Sequence, residues 1–374
     1  MKVGVDARLL SRPLTGIGRY TLEMCRSLSK QERITLYLYS PSPILDDAKQ
    51  NLPPARFRTM NWQNGVLRQL WTESCLPLWV KMDDVDVFWG PAHRLPRLLP
   101  RAIPAVVTIH DLVWKYASET MRSATYFLEK IQMPSAVRVA DAVVVDSQST
   151  ADAVSLEFSV DADSLAVIPL AASHISNIVS FDALHEFGVD HPFFLFVGTL
   201  EPRKNLARLL AAYAVLSETV RSGMMLVIVG GKGWGGVNLQ ETIARLGLGD
   251  HVKVLGYVDE PTLAMLYAHA KFLAMPSLYE GFGLPLVEAT AHGTPVLTAN
   301  NSSMPEVAGD AGLLVDALDV DSIACGLNQL ITDDQLLAGL AANAKLNAAR
   351  FSWDESAGAL VSVFKRAVAN RNSR

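Results

Sequence analysis

Short apolar runs alternate with amphipathic segments along the whole chain, and this alternation constrains the fold more than any other feature of the sequence. The runs are three to six residues long and rich in valine, leucine and isoleucine. Such runs are typical of parallel strands that are buried on both faces. The segments between them have the apolar spacing of helices. The pattern therefore predicts doubly wound α/β architecture, with helices covering parallel sheets.

The runs fall into two series. The first series predicts strands at 2–6, 34–39, 85–88, 105–109 and 142–146, with helices at 18–30 and 121–138. A further apolar run at 165–169 ends in a proline and leads into the next segment. The second predicts strands at 193–197, 225–229, 252–254, 272–275 and 295–298, with helices at 205–219, 239–246, 260–269, 284–292 and 320–331. Two further helices are predicted at 333–350 and 354–370. The segment "LAASHISNIVS" between the series indicates a connector, so we expect a hinge near 170–190.

The composition is that of a globular protein with more than one core. The chain has 374 residues, half of them hydrophobic, a length that favours two domains. Its three cysteines, Cys25, Cys75 and Cys325, are too widely spaced for a zinc site or a disulfide framework, which indicates a reducing compartment. The N-terminus has no signal-peptide core, and no apolar run reaches the ~20 residues of a membrane span. We expect a soluble, cytoplasmic protein.

Charge is distributed unevenly along the chain. Residues 1–140 contain 19 Lys and Arg against 12 Asp and Glu, whereas residues 141–374 contain 14 against 26. A basic first half could face an acidic membrane or an anionic acceptor, and it could equally be ordinary surface variation. No block of basic residues interleaved with aromatics indicates nucleic-acid binding.

The segment "LYEGFGLPLVEAT" at 278–290 places a glycine-rich turn between Glu280 and Glu288. Pro285 suits the first turn of a helix, so we expect a helix start near Leu284 with backbone N–H groups free to bind an anion. Carboxylates accept hydrogen bonds from vicinal diols. A phosphate beside diols indicates a sugar nucleotide. A loop with incidental surface glutamates remains the alternative.

Two cations follow the predicted strand at 193–197, in the segment "GTLEPRKN". Arg203 and Lys204 lie where the strand ends and just before a helix begins, at the edge where such sheets bind ligands. Cations oppose the dipole at a helix N-terminus, so their presence there favours a bound anion such as a diphosphate. Solvated surface charges are the alternative.

A histidine and an aspartate end the strand at 105–109, in the segment "TIHDLVW". At this position His110 could donate a hydrogen bond to a ligand oxygen, with Asp111 orienting it or capping the next helix. A histidine satisfied within the fold is the other interpretation, and the residues alone do not decide between them.

Two further segments are rich in glycine. "LTGIGRY" places Gly16 and Gly18 before a predicted helix, but the spacing is not the dinucleotide fingerprint. These glycines either allow the backbone close to phosphates or form a simple tight turn. "VGGKGWGG" at 229–236 lacks the Lys-Ser/Thr ending of a P-loop, and we interpret it as a flexible loop over the cleft.

Taken in order, these motifs resemble the retaining, nucleotide-sugar-dependent glycosyltransferases of family 4, which have the GT-B fold. The resemblance rests on "TGIGRY" near the start, "EPRKN" at 201–205, the Glu280-x7-Glu288 segment and "HGTPVLT" at 292–298, and it covers nearly the whole chain. It is greatest for bacterial mannosyl- and rhamnosyltransferases that build O-antigen or other surface polysaccharides.

This resemblance implies two Rossmann-like domains that face a central cleft. Residues 1–174 would form the acceptor-side domain and residues 175–353 the nucleotide-sugar domain. The final helix, 354–374, would cross back to the first domain.

The resemblance also implies roles for individual residues. Arg203 and Lys204 would hold the donor diphosphate, Glu288 the ribose hydroxyls and Glu280 the transferred sugar. With His110 near the reaction centre, the implied catalytic set is His110, Glu280, Arg203 and Lys204. The other implied substrate-binding residues are Gly16, Ile17, Gly18, Asp111, Thr199, Tyr257, Val258, Gly281, Phe282, Gly283, Leu284 and Glu288. Some relatives have an arginine at the position of Thr199, so Arg203 would carry more of the phosphate charge here.

The expected mechanism needs neither a metal nor a cofactor. The two "DVD" segments, at 84–86 and 319–321, lie at a strand start and a helix start, so neither suits a metal-binding Asp-x-Asp motif. Cations and helix-start amides would stabilise the leaving nucleoside diphosphate. A front-face displacement, in which the departing phosphate takes the acceptor's proton, would retain the anomeric configuration.

The resemblance favours GDP-mannose as donor, with GDP-rhamnose second, and a lipid-linked saccharide as acceptor. We expect contact with the cytoplasmic face of the membrane through Arg94, Arg97 and Arg101, which alternate with leucines and prolines. A loop packed on its own domain is the alternative. A GT-B sugar-nucleotide epimerase and a non-catalytic sugar-nucleotide-binding protein remain the alternative functions, whereas the incomplete glycine fingerprint disfavours an oxidoreductase.

Overall fold

The structure, a computed structural model, describes residues 1–52, 55–62, 64–161, 164–173, 181–235 and 238–372. Its strands are β1 (Lys2–Asp6), β2 (Thr35–Ser40), β3 (Arg56–Thr59), β4 (Val87–Gly90), β5 (Ala105–Ile109), β6 (Ala142–Val145), β7 (Leu165–Val167), β8 (Phe193–Val197), β9 (Met225–Val229), β10 (Val252–Gly256), β11 (Leu273–Met275), β12 (Val296–Ala299) and β13 (Gly312–Val315). Its helices are α1 (Gly16–Ser29), α2 (Asp46–Gln50), α3 (Gly65–Glu73), α4 (Cys75–Met82), α5 (Val113–Tyr116), α6 (Ser123–Val139), α7 (Gln148–Phe158), α8 (Leu206–Ala214), α9 (Glu218–Ser222), α10 (Leu239–Arg245), α11 (Glu260–His269), α12 (Leu284–Ala291), α13 (Met304–Ala308), α14 (Val320–Thr332), α15 (Asp334–Ala348) and α16 (Trp353–Asn372).

The chain divides into two compact units. The N-terminal unit comprises Met1–Leu112, Ala124–Leu170 and Ser352–Arg374, and the C-terminal unit comprises Val113–Ser123 and Ala171–Phe351. This division differs from the predicted one in assigning Val113–Ser123 to the C-terminal unit. The predicted boundary at 174–175, and with it most of the predicted connector, lies outside the described residues.

The N-terminal unit is built on a seven-stranded parallel sheet with the order β3-β2-β1-β4-β5-β6-β7. The central strands are buried on both faces, which explains their continuous apolar runs. The last helix, α16, packs against α1 in this unit. The Ser356 hydroxyl donates to the Pro169 carbonyl (2.7 Å), and Lys30 pairs with Asp354 (3.1 Å).

The C-terminal unit is built on a six-stranded parallel sheet with the order β10-β9-β8-β11-β12-β13. Phe194 and Phe272 stack within its core, 5.0 Å between ring centroids, and Tyr213 of α8 meets Phe194 edge-on. The strand order places β8 and β11 side by side, although 75 residues lie between the end of β8 and the start of β11 in the sequence. Residues that follow these two strands therefore meet at one edge of the sheet.

The sequence missed elements whose burial is incomplete. The edge strands β3 and β13 carry half-exposed or exposed side chains, and the charged sequence of β3, "RFRT", gives no apolar run. The predicted helix at 205–219 is two helices, α8 and α9, because the Ser217 side chain caps a new helix by accepting the N–H of Val220. The sequence also missed α7, which Ser147 caps in the same way.

Across the described residues, no helix has the length and hydropathy needed to span a membrane.

Candidate active site

The two cations of "EPRKN" lie at the carboxyl end of β8, in the C-terminal unit. Arg203 and Lys204 belong to a 3-10 turn, Pro202–Lys204, between β8 and α8. Asn205 ends this turn in the left-handed conformation, with φ at 61°. Its amide donates to the carbonyls of Pro276 (2.9 Å) and Ala317 (2.7 Å), which fixes the turn over the neighbouring strand ends.

Glu280 follows β11 and meets both cations. Its Oε2 accepts from Arg203 Nη1 at 2.6 Å, and its Oε1 accepts from Lys204 Nζ at 2.7 Å. Arg203 also pairs with Glu201 through Nη2 (2.6 Å). The four side chains therefore form a buried cluster of two cations and two anions, which we call the Arg203–Lys204 cluster. The cluster has no net charge in the ligand-free chain.

The Arg203–Lys204 cluster holds Glu280 ionised. Burial of Glu280 on its own would raise the pKa of its carboxyl, but Arg203 and Lys204 outweigh that effect and lower the pKa to about 2. The carboxylate thus provides the negative charge that a bound diphosphate would otherwise supply. A diphosphate entering this site would compete with Glu280 for the same two cations.

Hydrogen bonds shape the loop between β11 and α12. Arg203 Nη1 donates to the Tyr279 carbonyl (2.8 Å), and the backbone N–H of Glu280 donates to Ser302 Oγ (3.1 Å). Ser303 Oγ lies 3.0 Å from each of the Glu280 and Phe282 carbonyls. These contacts fix the direction in which the loop enters α12.

The helix α12 begins at Leu284, as the sequence predicts, with Pro285 in its first turn. Gly283 precedes the helix with φ at 94°, a conformation that favours glycine. Glu288 lies one turn further on and is buried, and its Oε2 accepts from the Tyr267 hydroxyl (2.8 Å). The helix start and both glutamates therefore lie in one continuous segment after β11.

His110 lies at the carboxyl end of β5, in the N-terminal unit. Its Nδ1 is 2.5 Å from Asp146 Oδ2, and its Nε2 is 2.8 Å from the Pro91 carbonyl. Both ring nitrogens therefore face oxygen atoms. Burial raises the pKa of the Asp146 carboxyl, although His110 opposes this shift.

A second histidine, which the sequence analysis missed, packs against His110. His93 Nε2 accepts the backbone N–H of His110 (3.0 Å), and its Nδ1 pairs with Glu129 Oε2 (3.1 Å). His93 has φ at 59°, an uncommon conformation for a non-glycine residue. Its position after β4, a central strand, was the signal in the sequence that could have identified it.

Comparison with known proteins identifies the family. The family model for "Glycosyltransferase Family 4" matches residues 14–172, and that for "Glycosyl transferases group 1" matches residues 181–347. The O-antigen chain mannosyltransferase B of Escherichia coli is 31% identical over 98% of this chain and 100% of its own length. The chain belongs to the family 4, group 1 glycosyltransferases.

A second relative and a solved structure are also similar to this glycosyltransferase. A D-inositol 3-phosphate glycosyltransferase of Xylanimonas cellulosilytica is 33% identical over 64% of this chain and 60% of its own length. Among solved structures, Anabaena HepE in complex with UDP and glucose superposes with a TM-score of 0.75 at 22% identity, covering 100% of both chains. Together with the two parallel α/β units, these structural relatives confirm the predicted GT-B fold class.

The other predicted site residues of the glycosyltransferase differ in burial. Gly281, Phe282 and Gly283 are buried in the loop before α12, whereas Thr199 is exposed just after β8. Tyr257 and Val258 follow β10, two strands from β8 in the sheet, and Tyr257 is 75% exposed. In the N-terminal unit, Asp111 directly follows His110.

The glycines of "LTGIGRY" lie inside α1 and not before it, because the helix begins at Gly16 rather than at the predicted residue 18. A Cβ at Gly16 would meet no atom within 4 Å, so this first turn is open. A Cβ at Gly18 would lie 3.3 Å from Leu14 Cδ2, so a side chain there would require Leu14 to shift slightly. Ile17 lies between them and is half-buried.

The glycine-rich segment after β9 packs closely on the loop after β8. A Cβ at Gly230 would lie 1.8 Å from the Gly198 carbonyl oxygen, and one at Gly233 would lie 2.0 Å from that of Leu200. Trp234 Nε1 donates to the Thr120 carbonyl (3.0 Å). In its described part, up to residue 235, the segment therefore lies against the loop after β8, and its predicted flexibility stays a prediction.

The sequence analysis missed three residues that form hydrogen bonds with Glu280 or Glu288. Tyr267, Ser302 and Ser303 come from other segments, and no spacing in the sequence connects them to Glu280 or Glu288. Within the described ranges, no three His, Cys, Asp or Glu side chains lie close enough together to hold a metal ion.

Proposed function

We propose that this glycosyltransferase moves mannose from GDP-mannose to a lipid-linked saccharide, with retention of configuration, in the biosynthesis of O-antigen or another surface polysaccharide. The observation that carries the proposal is the Arg203–Lys204 cluster, which places two cations at the carboxyl ends of β8 and β11. The full-length similarity to the Escherichia coli O-antigen mannosyltransferase supports the choice of sugar and pathway.

In the proposed reaction the diphosphate of the donor binds Arg203 and Lys204. Negative charge develops on the departing phosphate as the glycosidic bond breaks, and the two cations stabilise it together with the amides before α12. Glu280, displaced from its cations, accepts hydrogen bonds from the transferred sugar, and Glu288 accepts them from the ribose. The departing phosphate takes the proton of the acceptor hydroxyl, so no protein nucleophile is needed.

Hydrogen bonds within the N-terminal unit restrict what the His110 ring can contact. Both of its ring nitrogens are hydrogen-bonded within the N-terminal unit. Contact between its ring and the transferred sugar therefore requires one of these bonds to open. We propose that the bond to the Pro91 carbonyl opens, because Asp146 holds the other nitrogen with a charge-assisted hydrogen bond.

A thermal-shift screen across GDP, UDP, TDP and ADP sugars tests the donor. We expect GDP-mannose to give the largest rise in melting temperature, since a ligand at 100 times its Kd stabilises the folded state by about 2.7 kcal/mol. In a transfer assay with EDTA present, NMR of the product should show the donor's anomeric configuration. If UDP or TDP sugars raised the melting temperature and GDP-mannose did not, the proposed donor would be wrong.

Incubation with GDP-mannose alone tests the alternative functions. A glycosyltransferase should hydrolyse the donor slowly, an epimerase should invert a sugar carbon and a binding protein should do neither. Epimerised sugar nucleotide at a rate above that of hydrolysis would contradict transferase activity.

We also propose that the N-terminal unit binds the inner face of the cytoplasmic membrane. Arg97 and Arg101 are exposed, and Leu98 between them is 67% exposed. Arg94, the third arginine predicted to meet headgroups, is half-buried, so it is not part of this exposed surface.

Liposome co-sedimentation tests this membrane proposal. Each arginine near an anionic surface contributes about 1 kcal/mol, so Arg97→Gln with Arg101→Gln should weaken binding to anionic vesicles roughly tenfold or more. Binding should also weaken with salt. The control Arg366→Gln removes an exposed arginine from α16 and should leave binding unchanged. Equal recovery with neutral and anionic vesicles would rule out the electrostatic account.

A further inference from the structure

The N-terminal unit contains a cavity of about 370 Å³ that the proposed donor chemistry does not use. Helix α3, helix α6 and the loop after β4 form its walls. Its polar lining includes Gln69, Glu73, Arg94, Arg97, Gln132 and Ser135. This volume lies within the range of about 300–1,000 Å³ that is typical of small-molecule sites.

Helical spacing explains why these side chains converge. Gln69 and Glu73 are four residues apart on α3, and Gln132 and Ser135 are three apart on α6, so each pair lies on one helix face. The loop that contributes Arg94 follows β4, which is hydrogen-bonded to β1 and β5 in the middle of the sheet. The cavity thus lies beyond the carboxyl end of a central strand, where doubly wound sheets bind their ligands.

The lining has an excess of positive charge. Arg94 and Arg97 face one carboxylate, Glu73, whose Oε2 already accepts the backbone N–H of Arg97 (2.9 Å). In the described part of the chain, neither guanidinium forms an ion pair. Burial lowers the pKa of Arg94 and the nearby Arg8 lowers it further, whereas the carboxylates of Asp6 and Glu129 raise it. Arg8 is itself paired with Asp6 (2.6 Å).

Polar and apolar groups are both available at this site. The amides of Gln69 and Gln132 can donate and accept, as sugar hydroxyls require. The three elements that form the cavity also carry exposed apolar side chains, namely Leu70 on α3, Leu98 in the loop and Ile131 on α6, each more than half exposed. A ligand with a saccharide, an anionic group and a hydrocarbon chain matches all three features.

We propose that this cavity binds the acceptor as an anionic saccharide, with Arg94 pairing the anionic group, the two glutamine amides binding sugar hydroxyls and the exposed apolar side chains contacting an attached lipid. This inference rests on the proposed function, because it takes the bound saccharide to be the acceptor. The shared chemistry is a phosphate beside a sugar, either in a lipid-linked glycosyl phosphate or in a free sugar phosphate.

Titration calorimetry with three probes tests the proposal. The probes are decyl mannosyl phosphate, the uncharged decyl mannoside and mannose 1-phosphate, each below micellar concentration and with the donor site saturated by the nucleoside diphosphate that binds best. We expect the decyl mannosyl phosphate to bind at least tenfold tighter than the mannoside, because a charge-assisted contact to the half-buried Arg94 is lost in the latter. If decyl mannosyl phosphate binds more tightly than mannose 1-phosphate, the ligand is a lipid-linked glycosyl phosphate. If the two bind equally, the ligand is a free sugar phosphate.

Variants locate the binding in the cavity. Arg94→Gln should remove the tenfold preference for the charged probe, Arg94→Lys should keep part of it, and Ser135→Trp should weaken both decyl probes by filling the cavity. Arg138→Gln, which removes an exposed arginine of α6 outside the cavity, is the matched control. The melting temperature of each variant, measured beside the titrations, checks that the variant is folded.

Equal affinity for the charged and neutral probes, or an unchanged preference in a folded Arg94→Gln variant, would overturn the proposal. These titrations use no sugar-nucleotide donor. A failure of GDP-mannose as donor would therefore leave their outcome unaffected, and the two proposals can fail separately.

Discussion

Replacing Glu280 with glutamine is expected to destabilise the C-terminal unit by about 3–5 kcal/mol at neutral pH, the usual cost of removing one partner of a buried ion pair. The substitution keeps the shape of the side chain but removes the carboxylate that pairs with both Arg203 and Lys204. Denaturant unfolding at pH 7 measures the loss. The ligand-free enzyme should be used, since a bound nucleotide would supply the missing negative charge.

The pH dependence identifies the carboxylate as the cause. The folded-state pKa of Glu280, about 2, is below its ordinary value of 4.5. A depressed pKa stabilises the fold above pH 4.5, and this stabilisation is lost as pH falls toward 2. The shift corresponds to about 3 kcal/mol. The difference in unfolding free energy between wild type and Glu280→Gln should therefore narrow over this interval.

A second glutamate of the same unit provides the control. Glu218 also pairs with an arginine, Arg221 (2.6 Å), but its side chain is 67% exposed. Exposed pairs contribute about 0–1 kcal/mol, so Glu218→Gln should change stability little. If Glu280→Gln were no more destabilising than Glu218→Gln, the Arg203–Lys204 cluster would not be the buried, mutually dependent group described above.

The sequence could predict which strand ends carry the chemistry, but not which strand ends meet. Arg203 and Glu280 each follow an apolar run, so their position at the carboxyl edge of a sheet is readable from local pattern. The contact between them depends on β8 pairing with β11, and strand order is set by long-range packing that local spacing does not encode. The ion pairs, and with them the low pKa of Glu280, were therefore beyond sequence reasoning.

Burial separates residues that the sequence presents as alike. Arg94, Arg97 and Arg101 occur at regular intervals and were predicted to act together on a membrane. The structure leaves Arg94 half-buried and Arg97 and Arg101 exposed, because the burial of each side chain depends on how the loop packs in the fold. His93 was missed for a related reason, since its function as a partner of His110 appears only when β4 and β5 are placed side by side.

Lys204→Ala is expected to weaken binding of the nucleoside diphosphate by roughly tenfold to a hundredfold, since a hydrogen bond to a charged group contributes about 1.5–3 kcal/mol. Arg203→Ala should have a similar effect. In either variant the cluster changes from neutral to a charge of −1, so Glu201 and Glu280 repel the incoming phosphates. The fold should remain intact, because Glu280 keeps one cationic partner.

The same electrostatic argument predicts the opposite sign for Glu280→Gln. That substitution gives the cluster a charge of +1 and removes the carboxylate that competes with the diphosphate, so the nucleoside diphosphate should bind more tightly than to wild type while sugar transfer slows. Calorimetric titration of the wild type, Lys204→Ala, Arg203→Ala and Glu280→Gln with the nucleoside diphosphate measures this order of affinities. Lys271→Ala is the control, because Lys271 is exposed just before β11, at the other end of the strand from Glu280. Equal affinity in all of these proteins would place the diphosphate away from Arg203 and Lys204, whereas weaker binding by a folded Glu280→Gln variant would show that the carboxylate assists phosphate binding instead of competing with it.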